Sequence, residues 1–390
     1  MAKLVEITGK AMSGEWGFDD ETGNGIPVLR TTNFTNEGVV DYKNVVTRTI
    51  IKKNIDEKYL RPGDVIIEKS GGSDKQPVGR VVYFNGPEKT YLFNNFTGLL
   101  RVKDQTLWFP KYIFYSLYGN YRRGGTRAFE NKTTGLHNLK VDDYVSRYEI
   151  TELDHKKQIE VCEYLDKIYK VIKLREEELQ KLDDLIKARF VEMFGDPRSN
   201  PFGFSKSVLK DTCKVVTGNT PSRAVQEYYG NYVEWIKTDN IVSEMINPTK
   251  ATESLSEEGM KVGRTVDKDS ILMACIAGSI ASIGKVCVTD RTVAFNQQIN
   301  AIVPEEYNIL FLYVLLQLSK DYLVEDINMA LKGILSKSKL EEKEFIVPPM
   351  ELQKQFADFV KQVDKSKVKV QKALDETQKL FDSLMQQYFG

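Results

Sequence analysis

The longest ordered pattern of apolar and polar positions runs from His155 to Phe194 and predicts one helix. Leu165, Ile172, Leu179, Ile186 and Met193 return every seventh residue. Ile168, Arg175, Leu182 and Arg189 fill the offset positions, two apolar and two charged. Lys167, Lys170, Lys173, Glu176, Glu177, Glu178, Lys181, Asp183, Asp184 and Lys187 lie between them. One narrow apolar stripe on a charged helix is the pattern of a coiled coil, because only that stripe leaves water. The pattern ends at Phe194-Gly195-Asp196-Pro197, where Gly can close a helix and Pro cannot continue it. About forty residues at ~1.5 Å each make a rod of roughly 60 Å. A rod in mid-chain separates two bodies.

Those bodies share a plan. The first is strand-rich: Ile26 to Arg30 leads into Thr31-Thr32-Asn33-Phe34, Val65 to Glu68 follows a Pro62-Gly63-Asp64 turn, and Arg80 to Phe84 closes on Asn85-Gly86. Trp108 to Tyr118 reads as a helix, and Asp142 to Thr151 leads into the rod. After Pro197 the order starts again. Ile7-Thr8-Gly9 is matched with Val216-Thr217-Gly218, and Val28 to Phe34 with Trp235 to Ile241. Asp64 to Ile67 is matched with Ser270 to Met273, and Gly79-Arg80-Val81 with Gly284-Lys285-Val286. Phe93-Asn94-Asn95 is matched with Phe295-Asn296-Gln297, and His155 to Ile159 with Leu352 to Phe356. The second body also ends in a seamed helix, with Phe356, Val363, Val370, Thr377 and Leu384 in one position and Phe359, Ser366, Ala373 and Leu380 in the other. Isolated amphipathic helices are marginal, so the two helices are expected to pair.

The expected fold class is α+β. It has two similar globular domains, each followed by a long helix, with the helices paired as an antiparallel coiled coil in pseudo-two-fold symmetry. The expected boundaries are 1–152, 153–196, 197–350 and 351–390. The helix-pairing positions are Leu165, Ile172, Leu179, Leu182, Ile186, Phe356, Phe359, Val363, Val370, Leu380 and Leu384. A pseudo-two-fold molecule suits a partner with two-fold axes, such as duplex DNA or paired identical subunits.

Composition narrows the classes. A chain of 390 residues that is 41% hydrophobic can bury two cores. No stretch approaches the roughly eighteen apolar residues of a membrane span, and the start carries no apolar signal region, so a cytoplasmic protein is expected. Cys162, Cys213, Cys275 and Cys287 show no C-x-x-C spacing and read as reduced, buried thiols. Two histidines exclude a His-rich metal site. The net charge is zero, with a small basic excess in residues 1–152 and a small acidic one in 197–350.

Catalytic patterns are absent. There is no G-x-x-x-x-G-K-[ST] phosphate loop and no Asn-Pro-Pro-aromatic loop of adenine methyltransferases. Ser70-Gly71-Gly72-Ser73 and Ala277-Gly278-Ser279 read as structural loops. Asp64, Glu68 and Lys69 have the composition of an acid–lysine nuclease centre, but Ala274 and Cys275 stand in place of Glu68 and Lys69 in the second body.

Nucleic-acid contact fits better. Arg30, Thr31 and Asn33 in the first body, and Lys237, Thr238 and Asn240 in the second, place a cation, a hydroxyl and an amide at a strand end. Arg or Lys suits guanine and Asn suits adenine, while the alternative is that Thr and Asn cap a turn. Arg122, Arg123 and Arg127 form a basic loop suited to phosphates. Arg80, Lys132, Lys285, Lys332 and Lys337 complete the DNA-binding candidates, the last two with Lys132 on Gly-centred loops at matching places.

The whole chain resembles the specificity subunit of type I restriction-modification systems. The resemblance rests on the duplicated plan and on Leu182 to Pro197, Val215 to Ser222, Trp235 to Ile241, Phe295 to Gln298 and Val347 to Gln355. The first domain departs from it: Ile7 to Met12 lacks the Thr220-Pro221 of the second, and Glu149 to Asp154 lacks the Pro348-Pro349 pair. The resemblance implies a non-catalytic subunit whose two target recognition domains each read half of a split double-stranded DNA target. The paired helices would set the gap and dock two methyltransferase subunits, and restriction endonuclease subunits would join. The chain itself would bind no cofactor, while its partners would use S-adenosylmethionine, ATP and magnesium. The competing readings are a coiled-coil scaffold that binds only protein, and a self-contained DNA-modifying enzyme.

Overall fold

The structure is a computed structural model that describes all residues except 134–135, 243–244, 326 and 328–332, and all side chains of the rest except Lys132, Thr133 and Leu136. It divides into two compact units, Met1–Arg175 with Ala373–Gly390, and Glu176–Lys372. The divisions fall inside the two long helices, so each unit combines a globular part with a piece of each helix. No helix among the described residues is long and apolar enough to cross a membrane.

In the first unit a short helix, α1 (Leu4–Thr8), leads to strand β1 (Met12–Ser13). Then come β2 (Ile26–Leu29), β3 (Val46–Thr49), β4 (Val65–Glu68), β5 (Val81–Tyr83), β6 (Leu92–Phe93) and β7 (Thr97–Leu100). One antiparallel sheet has the order β1-β7-β4-β5. The other includes β3-β2-β6, and its β2 and β6 run parallel, with Val28 opposite Leu92 and Leu29 opposite Phe93. Every residue of β4 is buried, as expected of a central strand covered on both faces. Helix α2 (Pro110–Arg122) packs on β5, and α3 (His155–Phe194) begins the long rod.

The second unit repeats this with α4 (Leu209–Thr212), β8 (Cys213–Thr217), β9 (Tyr229–Ile236), β10 (Ile271–Ala274), β11 (Val286–Val288), β12 (Val293–Phe295) and β13 (Ile299–Pro304). Helices α5 (Ile309–Leu318) and α6 (Met350–Phe389) follow. The sheet order is β8-β13-β10-β11, and β9 and β12 form the parallel pair, with Trp235 opposite Ala294 and Ile236 opposite Phe295.

Hydrogen bonds define the repeat more sharply than residue likeness does. Leu4 N donates to Tyr148 O, and Leu209 N to Lys343 O. A Cβ on Gly14 would sit 2.1 Å from Phe93 O, and one on Gly218 would sit 2.6 Å from Phe295 O and 2.2 Å from Asn296 O. Gly218 therefore corresponds to Gly14 rather than Gly9, because strand β1 and not α1 carries the close approach. The rod register is corrected in the same way. Gln158 Oε1 accepts from Phe109 N and its Nε2 donates to Leu107 O and Leu153 O. Gln353 Oε1 accepts from Asn308 N and its Nε2 donates to Pro348 O. Gln158 thus matches Gln353, not Gln355. Each buried amide satisfies an otherwise orphaned N–H at the start of α2 or α5.

The helix expected over Trp108 to Tyr118 runs instead from Pro110 to Arg122, with proline at its first position, where a missing N–H costs nothing. Ser70–Gly72, expected as loop, is a short strand paired with Leu136–Leu139.

Within each unit the two long helices pair antiparallel. In the second unit Asp183 bonds Lys367 at 2.5 Å, while Phe190 and Phe194, further along α3, meet Phe356, which lies earlier in α6. In the first, Arg175 donates to Ala373 O and Thr377 Oγ1, while Lys157 interacts electrostatically with Tyr388. Leu165, Ile172, Ile186, Phe356 and Val363 are buried as the seam requires, with Leu179, Leu182, Phe359, Val370 and Leu384 half-buried. Leu380 is the exception: it is 51% exposed. The buried stripe near the end of α6 is Phe381, Met385 and Phe389, each four residues apart. A stripe that advances this way follows the ~3.6-residue turn of a straight helix, so a strict seven-residue count drifts off it.

Candidate nucleic-acid interface

Parallel pairing places the ends of two strands at one edge of a sheet. Strand β2 ends in the turn Thr31–Asn33, and β6 ends in the turn Asn94–Thr97. Asn94 N donates to Leu29 O, and Lys69 N and Ser70 N donate to Phe96 O, so three loops converge there. The second unit builds the same edge from Thr238–Asn240 and residues 296–299. Asn296 N donates to Ile236 O, and Cys275 N and Ile276 N donate to Gln298 O.

The buried residues of this edge hold the frame. Asn33 Oδ1 accepts from Arg30 N, and its Nδ2 donates to Asp41 O and Lys43 O. Asn240 Oδ1 accepts from Lys237 N, and its Nδ2 donates to Thr249 Oγ1 and Lys250 O. Both asparagines are buried, so they are turn caps and not base contacts. What differs is the tip: exposed Asn95 and Phe96 in one unit, exposed Gln297 and half-buried Gln298 in the other.

The candidate cations divide by environment. Arg80 makes two bonds to the buried carboxylate of Glu68, at 3.1 and 2.8 Å, and also donates to Phe34 O and Thr31 O. Its charge is spent inside the unit, which corrects its assignment as a DNA contact. Lys285 holds the matching place, and Ala274 stands where Glu68 would be, so this ion pair has no counterpart there. Arg30 is half-exposed and donates to Asn44 O at 3.3 Å. Lys237 bonds Glu253 and lies 5.2 Å from the Trp235 ring centroid. Arg223 also stacks on Trp235 and Tyr229 and pairs with Glu253. Hydrogen bonds from Lys237 and Arg223 hold the Glu253 carboxyl below its ordinary pKa. Thr31 and Thr238 sit half-exposed in their turns.

The basic loop 121–127 is tied down. Arg122 closes α2 and bonds Asp382 at 2.9 Å, while Arg123 donates to Phe389 O. Arg127 is exposed in the following turn. Lys337 is exposed and lies 3.4 Å from Glu341. Lys132 is in a strand paired with His137, its side chain outside the described set, and Lys332 lies outside the described residues.

Sequence reasoning missed a basic cluster at the first edge. Lys52 and Lys58 both bond Glu15, and Lys69 Nζ donates to Ser13 Oγ at 2.9 Å. Burial holds the Lys69 ammonium below its ordinary pKa. These lysines come from separate loops, so no local motif announces them. The four cysteines are buried and free, and burial pushes the thiols of Cys213, Cys275 and Cys287 up to about 12. They are packing groups rather than nucleophiles.

Residues 201–377 match the family model of the type I restriction modification DNA specificity domain. The type I restriction enzyme HindI specificity subunit of Haemophilus influenzae is 32% identical over 120 residues, 30% of this chain and 25% of the relative. The MjaIX specificity subunit of Methanocaldococcus jannaschii is 27% identical over 162 residues, 40% of this chain and 37% of the relative. The matches thus span about a quarter to two fifths of these relatives' length. The crystal structure of the type I restriction-modification S subunit from M. genitalium matches all of this chain and 95% of its own, with a TM-score of 0.59 at 14% identity. A solved chain concerned with assembly and conformational transition of the type I R-M system gives 0.57 at 15%, covering 100% of this chain and 96% of that one. At such identity these two show a shared fold.

Proposed function

We propose that this chain is a specificity subunit of the type I restriction-modification family and that it reads a split double-stranded DNA target for enzymes that it does not itself contain. The observation that carries this reading is the same buried frame built twice, once inside the matched specificity domain, with different side chains exposed at its tip. A duplicated frame keeps the geometry of reading, and divergent tips let each unit read a different half-site. Base edges in the major groove are distinguished by amide, cationic and apolar contacts, and the two edges offer a different mixture of these.

The long helices are the proposed docking and spacing elements, with two methyltransferase subunits on them and restriction endonuclease subunits joining. Methyl transfer from S-adenosylmethionine, and cleavage needing ATP and magnesium, belong to those partners. The role of this chain is to hold the reading edges in place while a partner acts.

Co-expression with the methyltransferase subunit of its own system, followed by sequencing of host DNA for N6-methyladenine, tests the proposal. Two short half-sites with a fixed gap are expected. An intact complex that leaves no split motif would sink it. Replacing residues 1–152 with the first domain of another family member should change one half-site only; a change in both halves would refute modular reading.

A further inference from the structure

Beside the first edge lies an open cleft of about 460 Å³ lined by Lys75, Tyr121, Arg122, Arg123, Arg127 and Asn36, among others. Four of these side chains are cationic. Their carboxylate neighbours are few and committed. Asp382 pairs with Arg122, and Asp74, next to Lys75, lies 3.5 Å from His137 Nε2. Arg123 is held by a backbone carbonyl, which satisfies its geometry but leaves its charge. Among the described residues Lys75 and Arg127 have no carboxylate partner, and both are exposed.

The cleft is built, not incidental. Tyr121 Oη donates to Pro77 O, and Gln76 Nε2 donates to Asn36 Oδ1 at 3.1 Å, so the walls are bonded to each other. Gly124, at φ +77°, turns the chain out of α2 so that Arg127 faces the same space as Arg122 and Arg123. The cleft also borders the reading edge, because Arg80 beside Tyr121 bonds Thr31 O and Phe34 O.

We propose that this cleft seats a phosphodiester of the DNA strand that passes the first reading edge, with Arg127 and Lys75 as the phosphate contacts. This rests on the specificity reading above and names a site within it. The chemistry fits one ligand class. A planar guanidinium pairs two oxygens of a phosphate, and an ammonium adds a point charge. The wall amides of Asn36 and Gln76 are bonded to each other, so the cations are what the cleft presents to a ligand.

The test uses the chain assembled with its methyltransferase partner and a duplex carrying the mapped target. Lys75→Ala and Arg127→Ala leave the core and the Arg122–Asp382 pair untouched, so unchanged melting is expected of both. Each should weaken binding several-fold, equally on target and non-target duplexes. Each should also lower the slope of log affinity against log salt by about 1. Arg127→Lys should keep the slope. Unchanged affinity and slope in both alanine variants would overturn the proposal, as would a changed base preference in one half-site, which would mark a base contact. Failure of the unsubstituted complex to bind any sequence specifically would instead sink the specificity reading, and the cleft with it.

Discussion

Phe190→Ala is expected to destabilise the second unit by about 3–5 kcal/mol, the range for deleting a large aromatic from a filled core. Phe190 is fully buried among Phe194, Phe311 and Phe356, with ring centroids 5.0, 5.5 and 5.4 Å away. Those rings come from α3, α5 and α6, so one side chain ties both long helices to the globular part of its unit. Little can collapse into the space, because Phe194, Phe311 and Phe356 are themselves fully buried and packed on one another. Hydrogen exchange resolved by peptide is the measurement, with loss of protection expected in β10 and β13. Phe190→Leu fills more of the volume and should lose clearly less. A loss below about 1 kcal/mol for the alanine variant, the range of a lightly packed site, would show that the aromatic cluster does not hold this unit together.

Phe190 also shows where a sequence pattern stops being informative. The extent of α3 is legible, because a seven-residue repeat marks its body and Gly195 with Pro197 marks its end. The heptad template does not select Phe190 or Phe194, and it selects Leu380 wrongly, because a nearly straight helix drifts from a seven-residue count within a few turns. The duplication is legible too, since the strand and turn order repeats with similar residues. Gly9 takes the place of Gly14 in a match by residue likeness because both follow a short element. Only the approach of Gly14 to the carbonyl of Phe93 distinguishes them, and a through-space contact leaves no mark on neighbouring letters.

The site divides along the same line. Asn33 and Asn240 are conspicuous in the sequence because they repeat, and they repeat because both frames need the same cap. Under the proposed function, repetition between the two units points to framework, and difference points to reading. Lys58, Lys69 and Lys75 carry no repeated signal and are assembled by the fold from distant loops. Arg80 stands out in the sequence for its charge, and its partner Glu68 lies twelve residues away. Charge alone did not reveal that the two would meet in the core.

That pair supports the second large effect. Glu68 is 1% exposed and receives two bonds from Arg80. Arg80→Met is expected to cost about 3–5 kcal/mol, because it leaves a buried carboxylate without its counter-charge. The carbonyls of Thr31 and Phe34 also lose their donor. Replacing both partners, Arg80→Met with Glu68→Leu, should recover most of the loss, since a buried ion pair is roughly equivalent to apolar side chains of similar volume. The chain already contains a precedent, for the second unit keeps the same strand pairing with Ala274 and Lys285 at these positions. Denaturant unfolding of the two variants measures the difference, and methylation mapping of the double variant separates structure from reading. If Arg80 is internal, the stable double variant recognises the same half-site as the native chain. A double variant that folds with native stability yet loses one half-site would return Arg80 to the DNA interface, with Glu68 as the group that aims it.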